Sequence, residues 1–299
     1  MQTLASKGTT VYALDLRGSA RSTRPSYFRP KLWNWTLDDL VDQEIRTTID
    51  WMVERHAGKK IHWIGHSMGG IAYFLWLCRH GSEKILSGTT VGSSIDYFKT
   101  GSHYESLLRF KALLEIIKIW PIGLLYHYGA PLISKTDTEI KRFLTYPSQM
   151  TSDEVKKLLK LNFSSVPATL LSQLSTAFEN GGLKSSDHKS YAQKLQTRSP
   201  TPPTFLIAGD EDLQCPPTAV EKSFHLLRHS KNQLKIYGMG YGHQAHYGHF
   251  DFLCGKFSKK EVWPDIVKWI HSCESASQTL DYPGRAPNNS VPIRTQSEP

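Results

Sequence analysis

No apolar run in this 299-residue chain is long and clean enough to cross a bilayer. The most apolar stretch, Ala112 to Ile133, is interrupted by Glu115, Lys118 and Pro121, which makes it a poor transmembrane helix. There is no CxxC pair. Cys78, Cys215, Cys254 and Cys273 signal neither a disulfide framework nor a zinc site and read as free thiols. No long block of like charge stands out. The formal net charge is +9, but lysine and arginine read as dispersed, which argues against nucleic-acid binding. Met1-Gln2-Thr3-Leu4 does not begin a basic segment followed by an apolar run. No secretory leader is therefore expected, and the cytoplasm is the default compartment. Asn-x-Ser/Thr triplets at Asn34, Asn162 and Asn288 carry little weight without a secretory route. No internal repeat is visible. What is present is a hydrophobic content of 39%, enough for a folded core and against a disordered chain.

Strand and helix signals alternate over most of the chain. Thr10 to Leu16 (TVYALDL) reads as a buried strand ending at the Arg17-Gly18 turn. Thr36 to Arg55 reads as a helix, with Asp38 and Asp39 in its first turn and Leu40, Val41, Ile45, Ile49 and Met52 at helical spacing. Strands are predicted at Lys60 to Ile64, Gly88 to Gly92, Thr204 to Ala208 and Gln233 to Tyr237. Helices are predicted after Ser67, near Ala219 to Leu227, and over Val262 to Ile270. Between residues 97 and 197 strand signals vanish. Leu107 to Trp120 is apolar around most of its circumference, Thr151 and Glu154 form a capping box, and Leu170 to Phe178 is stopped by Gly181-Gly182. From Glu274 onward the chain is polar and aperiodic and reads as a disordered tail. The pattern predicts an α/β fold: a mostly parallel sheet with helices on both faces, formed by residues 1–96 and 198–273, a helical insertion over 97–197, and a tail over 274–299.

The chemistry is concentrated in three places. Gly65-His66-Ser67-Met68-Gly69-Gly70 follows an apolar strand and precedes a helical run, the context of a nucleophile elbow. Ser67 is the candidate nucleophile, and the backbone N–H of Met68 is a candidate oxyanion donor. A serine hydroxyl needs a base, and the base needs a carboxylate. Asp210 and Asp212 both end the strand TFLIA. Asp212 lies further into the turn and is favoured, with Asp210 as the alternative and Asp96 as an outside candidate. His243, His246 and His249 share one loop. His249 precedes an apolar anchor, Phe250-Asp251-Phe252, and is favoured as base. The three-residue spacing lacks the carboxylate or cysteine partners a metal would need, so neither metal nor cofactor is expected. His66 reads as a residue that shapes the elbow.

GHSMGG after a strand, the acidic turn leading to Pro216-Pro217, and GHFDF resemble the α/β-hydrolase superfamily, its esterase and lipase members in particular. The resemblance covers roughly residues 4 to 272. It implies Ser67, Asp212 and His249 as a triad, Met68 as one oxyanion donor, and residues 97–197 as a cap. Two departures stand out: Gly18-Ser19-Ala20 replaces the usual loop sequence, and the family's first strands, with a His-Gly oxyanion loop, are expected ahead of residue 1. The second oxyanion donor therefore has no assignment.

The expected activity is hydrolysis of a carboxylic ester, of lipid-like or hydrophobic character, through an acyl-enzyme. The apolar cap suits an acyl pocket or a peripheral membrane contact; simple packing on the core is the alternative. An acyltransferase or thioesterase with the same triad, or an inactive hydrolase-like binding protein, are the competing readings.

Overall fold

The computed structural model of this chain describes residues 2–280, save 7, 20–21, 108–115, 137–138 and 199. Four strands, β1 (Ile61–His66), β2 (Ile85–Val91), β3 (Thr204–Gly209) and β4 (Gln233–Tyr237), form one parallel sheet in that order. Every residue of β3 is buried, as a strand covered on both faces requires.

Helices supply the crossovers and the covers. A helical run, α1, comprises Leu37–Leu40, a π-helical stretch Val41–Ile45, and Arg46–Arg55. Thr36 and Asp39 form the capping box that starts it. Helix α2 (Met68–His80) joins β1 to β2, and α5 (Pro217–Leu226) joins β3 to β4. Between β2 and β3 lie α3 (Ile122–Ile133), α4 (Ser152–Leu161) and shorter helices. The last helix is α6 (Ser258–Leu280). Side chains of β3 alternate between two cores. Leu206 and Ala208 join the residues of α1, α2 and α5, whereas Phe205 and Ile207 join those of α6. A third cluster packs α3 and α4 together over Phe250.

Three expectations change. Thr10 to Leu16 has no regular secondary structure, and Tyr12 and Leu14 are exposed. Its side chains still alternate: Val11 packs on the α6 core, Tyr12 meets Trp51 of α1 edge-on at 5.6 Å, and Leu16 packs on the other core. The residue pattern is that of a strand, but a strand also needs a hydrogen-bonded neighbour, and no described residue provides one. The predicted helix Leu107 to Trp120 lies largely outside the described residues. Its final pair, Ile119–Trp120, is instead a short antiparallel strand against Val166–Pro167. At the other end, α6 runs through Leu280, past the point where a tail was expected. Cys273 is buried on the core, and Glu274 reaches both His271 and His62, so the helical face continues beyond Ile270. Residues 281–299 lie outside the described part.

Candidate active site

Parallel sheets gather functional loops at the carboxyl ends of their strands. Here Ser67 follows β1, Gly92 follows β2, Asp212 follows β3, and the loop carrying His249 follows β4.

Ser67 caps α2 with φ 53° and ψ −119°, a conformation non-glycine residues rarely adopt. The surrounding sequence makes that turn feasible. A Cβ on Gly65 would collide with the Gly69 carbonyl, and one on Gly70 would collide with the Ser93 hydroxyl. Gly69 itself has open space at that point, so it serves by backbone approach to Gly65 and not by its own lack of a side chain. The turn is tied to β2 by Ser67 N–H donating to Val91 O (2.9 Å) and by Ser93 Oγ donating to Ser67 O (2.9 Å). Met68 is the first residue of α2, where backbone N–H groups have no intrahelical acceptor.

His249 and Asp212 are both buried and joined by Nδ1–Oδ2 at 2.8 Å. The other carboxylate oxygen of Asp212 accepts from the backbone N–H groups of Gln214 and Cys215, each at 2.9 Å. Every oxygen of Asp212 is thus committed, and the ring of His249 is fixed by one of them. His249 Nε2 is buried and has no hydrogen-bond partner. A buried, unpartnered ring nitrogen costs free energy and is a recurrent feature of sites that await a substrate or a proton.

Asp210 forms a separate pair. Its Oδ2 lies 2.6 Å from His246 Nδ1, and its Oδ1 accepts from Tyr247 N–H at 3.0 Å. Asp96 accepts from Phe98 N–H and Lys222 Nζ, a turn role away from the histidines. His243 sits against the Gly238 backbone and the Tyr237 ring. No group of three potential metal ligands occurs among the described residues.

A parallel sheet carries a strained serine between β1 and α2 and a buried histidine–aspartate couple at the ends of its later strands. The α/β hydrolase fold family matches residues 1–115. The solved monoacylglycerol lipase of Paleococcus ferrophilus superposes with a TM-score of 0.61 at 16% identity, covering 91% of this chain and 87% of that one. This chain has the α/β-hydrolase fold. Among curated proteins, triacylglycerol lipase 2 of Arabidopsis thaliana is 36% identical over 108 residues, 35% of this chain and 25% of that protein. Lipase member K of Homo sapiens is 21% identical over 295 residues, 88% of this chain and 71% of that protein. Against the first of these relatives the match therefore spans about a quarter of the relative's length.

Two residues tie the site together in ways the sequence did not disclose. His66 Nε2 lies 2.8 Å from the backbone carbonyl of His249, and the two rings are 4.7 Å apart. Loss of hydration, with the adjacent His249 ring, pushes the His66 pKa down to about 3. The ring is therefore neutral, and because a carbonyl only accepts, its proton resides on Nε2. The elbow thus grips the histidine loop directly.

The second residue is Asp251. It is fully buried and accepts from the Thr145 hydroxyl, from Tyr146 N–H at 2.8 Å and from Gly248 N–H at 2.7 Å. The same stretch is laced to the site by Phe250 N–H donating to Leu144 O (2.9 Å) and by Gln149 Nε2 donating to His246 O (2.7 Å). The available signal was an acid between two phenylalanines, which must be buried and so must find donors. Which donors it finds depends on a segment more than 100 residues earlier.

Burial pushes the Asp251 carboxyl up to about 6, against the pull of its three donors. The sign follows. Between the ordinary carboxylate range and about 6, the folded protein keeps a proton that the unfolded chain has released, so stability from this group falls as pH rises through that window. Asp251→Asn removes the titration. Relative to wild type, its stability is expected to rise by up to about 3 kcal/mol between about pH 4 and pH 7, read by urea denaturation at both values. Asp251→Ala instead leaves three buried donors unpaired and is expected to cost about 3 kcal/mol or more at both. Parallel pH dependence of wild type and Asp251→Asn would show that the carboxyl titrates normally.

Proposed function

We propose that this α/β-hydrolase cleaves carboxylic esters through an acyl-enzyme on Ser67. The observation that carries the reading is the pairing of a positive-φ serine at a strand–helix elbow with a buried Asp212–His249 couple whose Nε2 is unpartnered. Ser67 Oγ attacks the ester carbonyl while its proton passes to His249 Nε2. Asp212 holds the Nδ1 proton and stabilises the imidazolium that forms. The Met68 N–H donates to the oxyanion. His249 returns the proton to the leaving alcohol; water then attacks the acyl carbonyl while His249 takes its proton, and as the bond to Ser67 Oγ breaks His249 gives that proton to Oγ, releasing the acid without a cofactor.

Residues 97–197 act as a cap between the two halves of the hydrolase core, 1–96 and 198–273. The cap is bound to the histidine loop through Leu144, Thr145, Tyr146 and Gln149. Its helix α3 carries no Asp, Glu, Lys or Arg and leaves Leu125, Tyr128 and Leu132 exposed. That composition favours hydrophobic, lipid-like esters and a peripheral contact of the cap with lipid. The names of the relatives, a triacylglycerol lipase and a monoacylglycerol lipase, point the same way.

The deciding experiment labels the folded chain with a fluorophosphonate and maps the adduct by mass spectrometry. The adduct is expected at Ser67. A folded chain that does not label overturns the hydrolase reading in favour of a binding protein. On a series of nitrophenyl esters, long acyl chains are expected to be preferred over acetate. A strict preference for acetate removes the lipid-ester assignment.

A further inference from the structure

We propose that the loop spanning residues 22–32 anchors the protein to an anionic lipid surface. This deepens the lipid-ester reading above and rests on it for its biological sense. From residue 17 to residue 37 the sequence holds Arg17, Arg21, Arg24, Arg29 and Lys31 and no acid. Arg24, Arg29 and Lys31 are exposed, with no carboxylate partner among the described residues. Among them stand Phe28, 97% exposed, and Leu32, 52% exposed.

The exposure of Phe28 is built in. Beneath it the rings of Tyr27, Trp33 and Trp35 stack in series at 5.3 and 5.2 Å, with both tryptophans buried. Trp33 Nε1 donates to Ser26 O, Arg29 N–H donates to Ser26 O, and Leu32 N–H donates to Arg29 O, which closes the loop on itself. Tyr27 bonds Ser165 of the cap at 2.8 Å. Trp33 and Trp35 face in, Tyr27 stacks on them at the surface, and Phe28 is held out, so the loop presents an apolar tip flanked in sequence by exposed cations.

The neighbouring surface decides between partners. Helix α3 borders the same segment: Gly123 abuts Ser164, one residue from the Ser165 that holds Tyr27. A charge-free helix with exposed leucines, on an element that adjoins a loop carrying exposed cations and an exposed phenylalanine, suits a bilayer. There the apolar side chains reach the acyl boundary while the cations meet anionic headgroups. Nucleic acid would match the loop but not the helix.

The test uses the Ser67→Ala chain, so that binding is read without turnover, and cosedimentation with two kinds of vesicle. One is phosphatidylcholine alone; the other contains about a third phosphatidylserine. Binding is expected to the anionic vesicles and to weaken with salt. The exposed pair Phe28→Ser with Leu32→Ser is expected to weaken it about tenfold or more. The triple change Arg24→Gln, Arg29→Gln, Lys31→Gln is expected to weaken it about a hundredfold at low salt. Turnover of a soluble short-chain ester by the same loop variants with Ser67 intact reports that they fold. No sedimentation with anionic vesicles, equal binding by the loop variants, or retention of single-stranded RNA in place of vesicles overturns the proposal. A chain that binds vesicles but hydrolyses nothing sinks the hydrolase reading and spares this one; hydrolysis of the soluble ester without vesicle binding does the reverse.

Discussion

Ser67→Ala is expected to lower ester turnover by about a millionfold without loosening the fold. The nucleophile is lost outright, and the unpartnered His249 Nε2 has no hydroxyl to deprotonate. Stability is expected to stay close to wild type, because alanine inherits the same positive φ that serine occupies. Ser67→Gly separates strain from chemistry. It is expected to be equally inactive but about 1 kcal/mol more stable, since glycine accepts this conformation freely. Thermal melts and kcat on one soluble ester check both variants. Retention of a tenth of wild-type activity by Ser67→Ala would exclude an acyl-enzyme on this residue.

The elbow was legible because its requirements are local. A tight strand–turn–helix connection needs glycine where backbones touch, and GHSMGG places Gly65 and Gly70 at those contacts. The two capping boxes at Thr36 and Thr151 were legible for the same reason. The pairing of Asp212 with His249 was favoured, with Asp210 left as the alternative. Asp210 and Asp212 lie two residues apart in one turn, and each faces a histidine three residues from the other's. Only the packing of the loop after β4 decides which histidine meets which acid. Thr10 to Leu16 shows the opposite limit. Its residues alternate as a strand's do, but pairing belongs to a neighbour and not to the segment itself.

Charge was misread by averaging. Spread over 299 residues, a formal net charge of +9 looks dispersed, yet one short loop carries several cations with no acid to offset them. The apolar residues among those cations resemble core positions in the sequence. Their separation into Trp33 and Trp35 facing in, and Phe28 and Leu32 facing out, is set by the aromatic stack. The loop and the strap at residues 144–149 are both cases of non-local packing giving meaning to segments that carry no motif.

Asp212→Asn and Asp210→Asn are expected to differ by about three orders of magnitude in kcat, the former losing about ten-thousandfold and the latter less than about tenfold. The asparagine at 212 keeps the shape of the site. Its amide oxygen can still accept from Gln214 and Cys215, and that choice aims its NH2 group at His249 Nδ1. Nδ1 must then accept, the ring proton moves to Nε2, and the nitrogen that should take the serine proton already holds one. At 210 the same change alters only the His246 pair, which is anchored to Tyr247 N–H and remains one hydrogen bond weaker at most. Measured kcat values for both variants on one ester, with unchanged melting curves, decide the assignment. If Asp210→Asn is the more damaging, His246 is the base and the buried Asp212–His249 couple serves the fold alone.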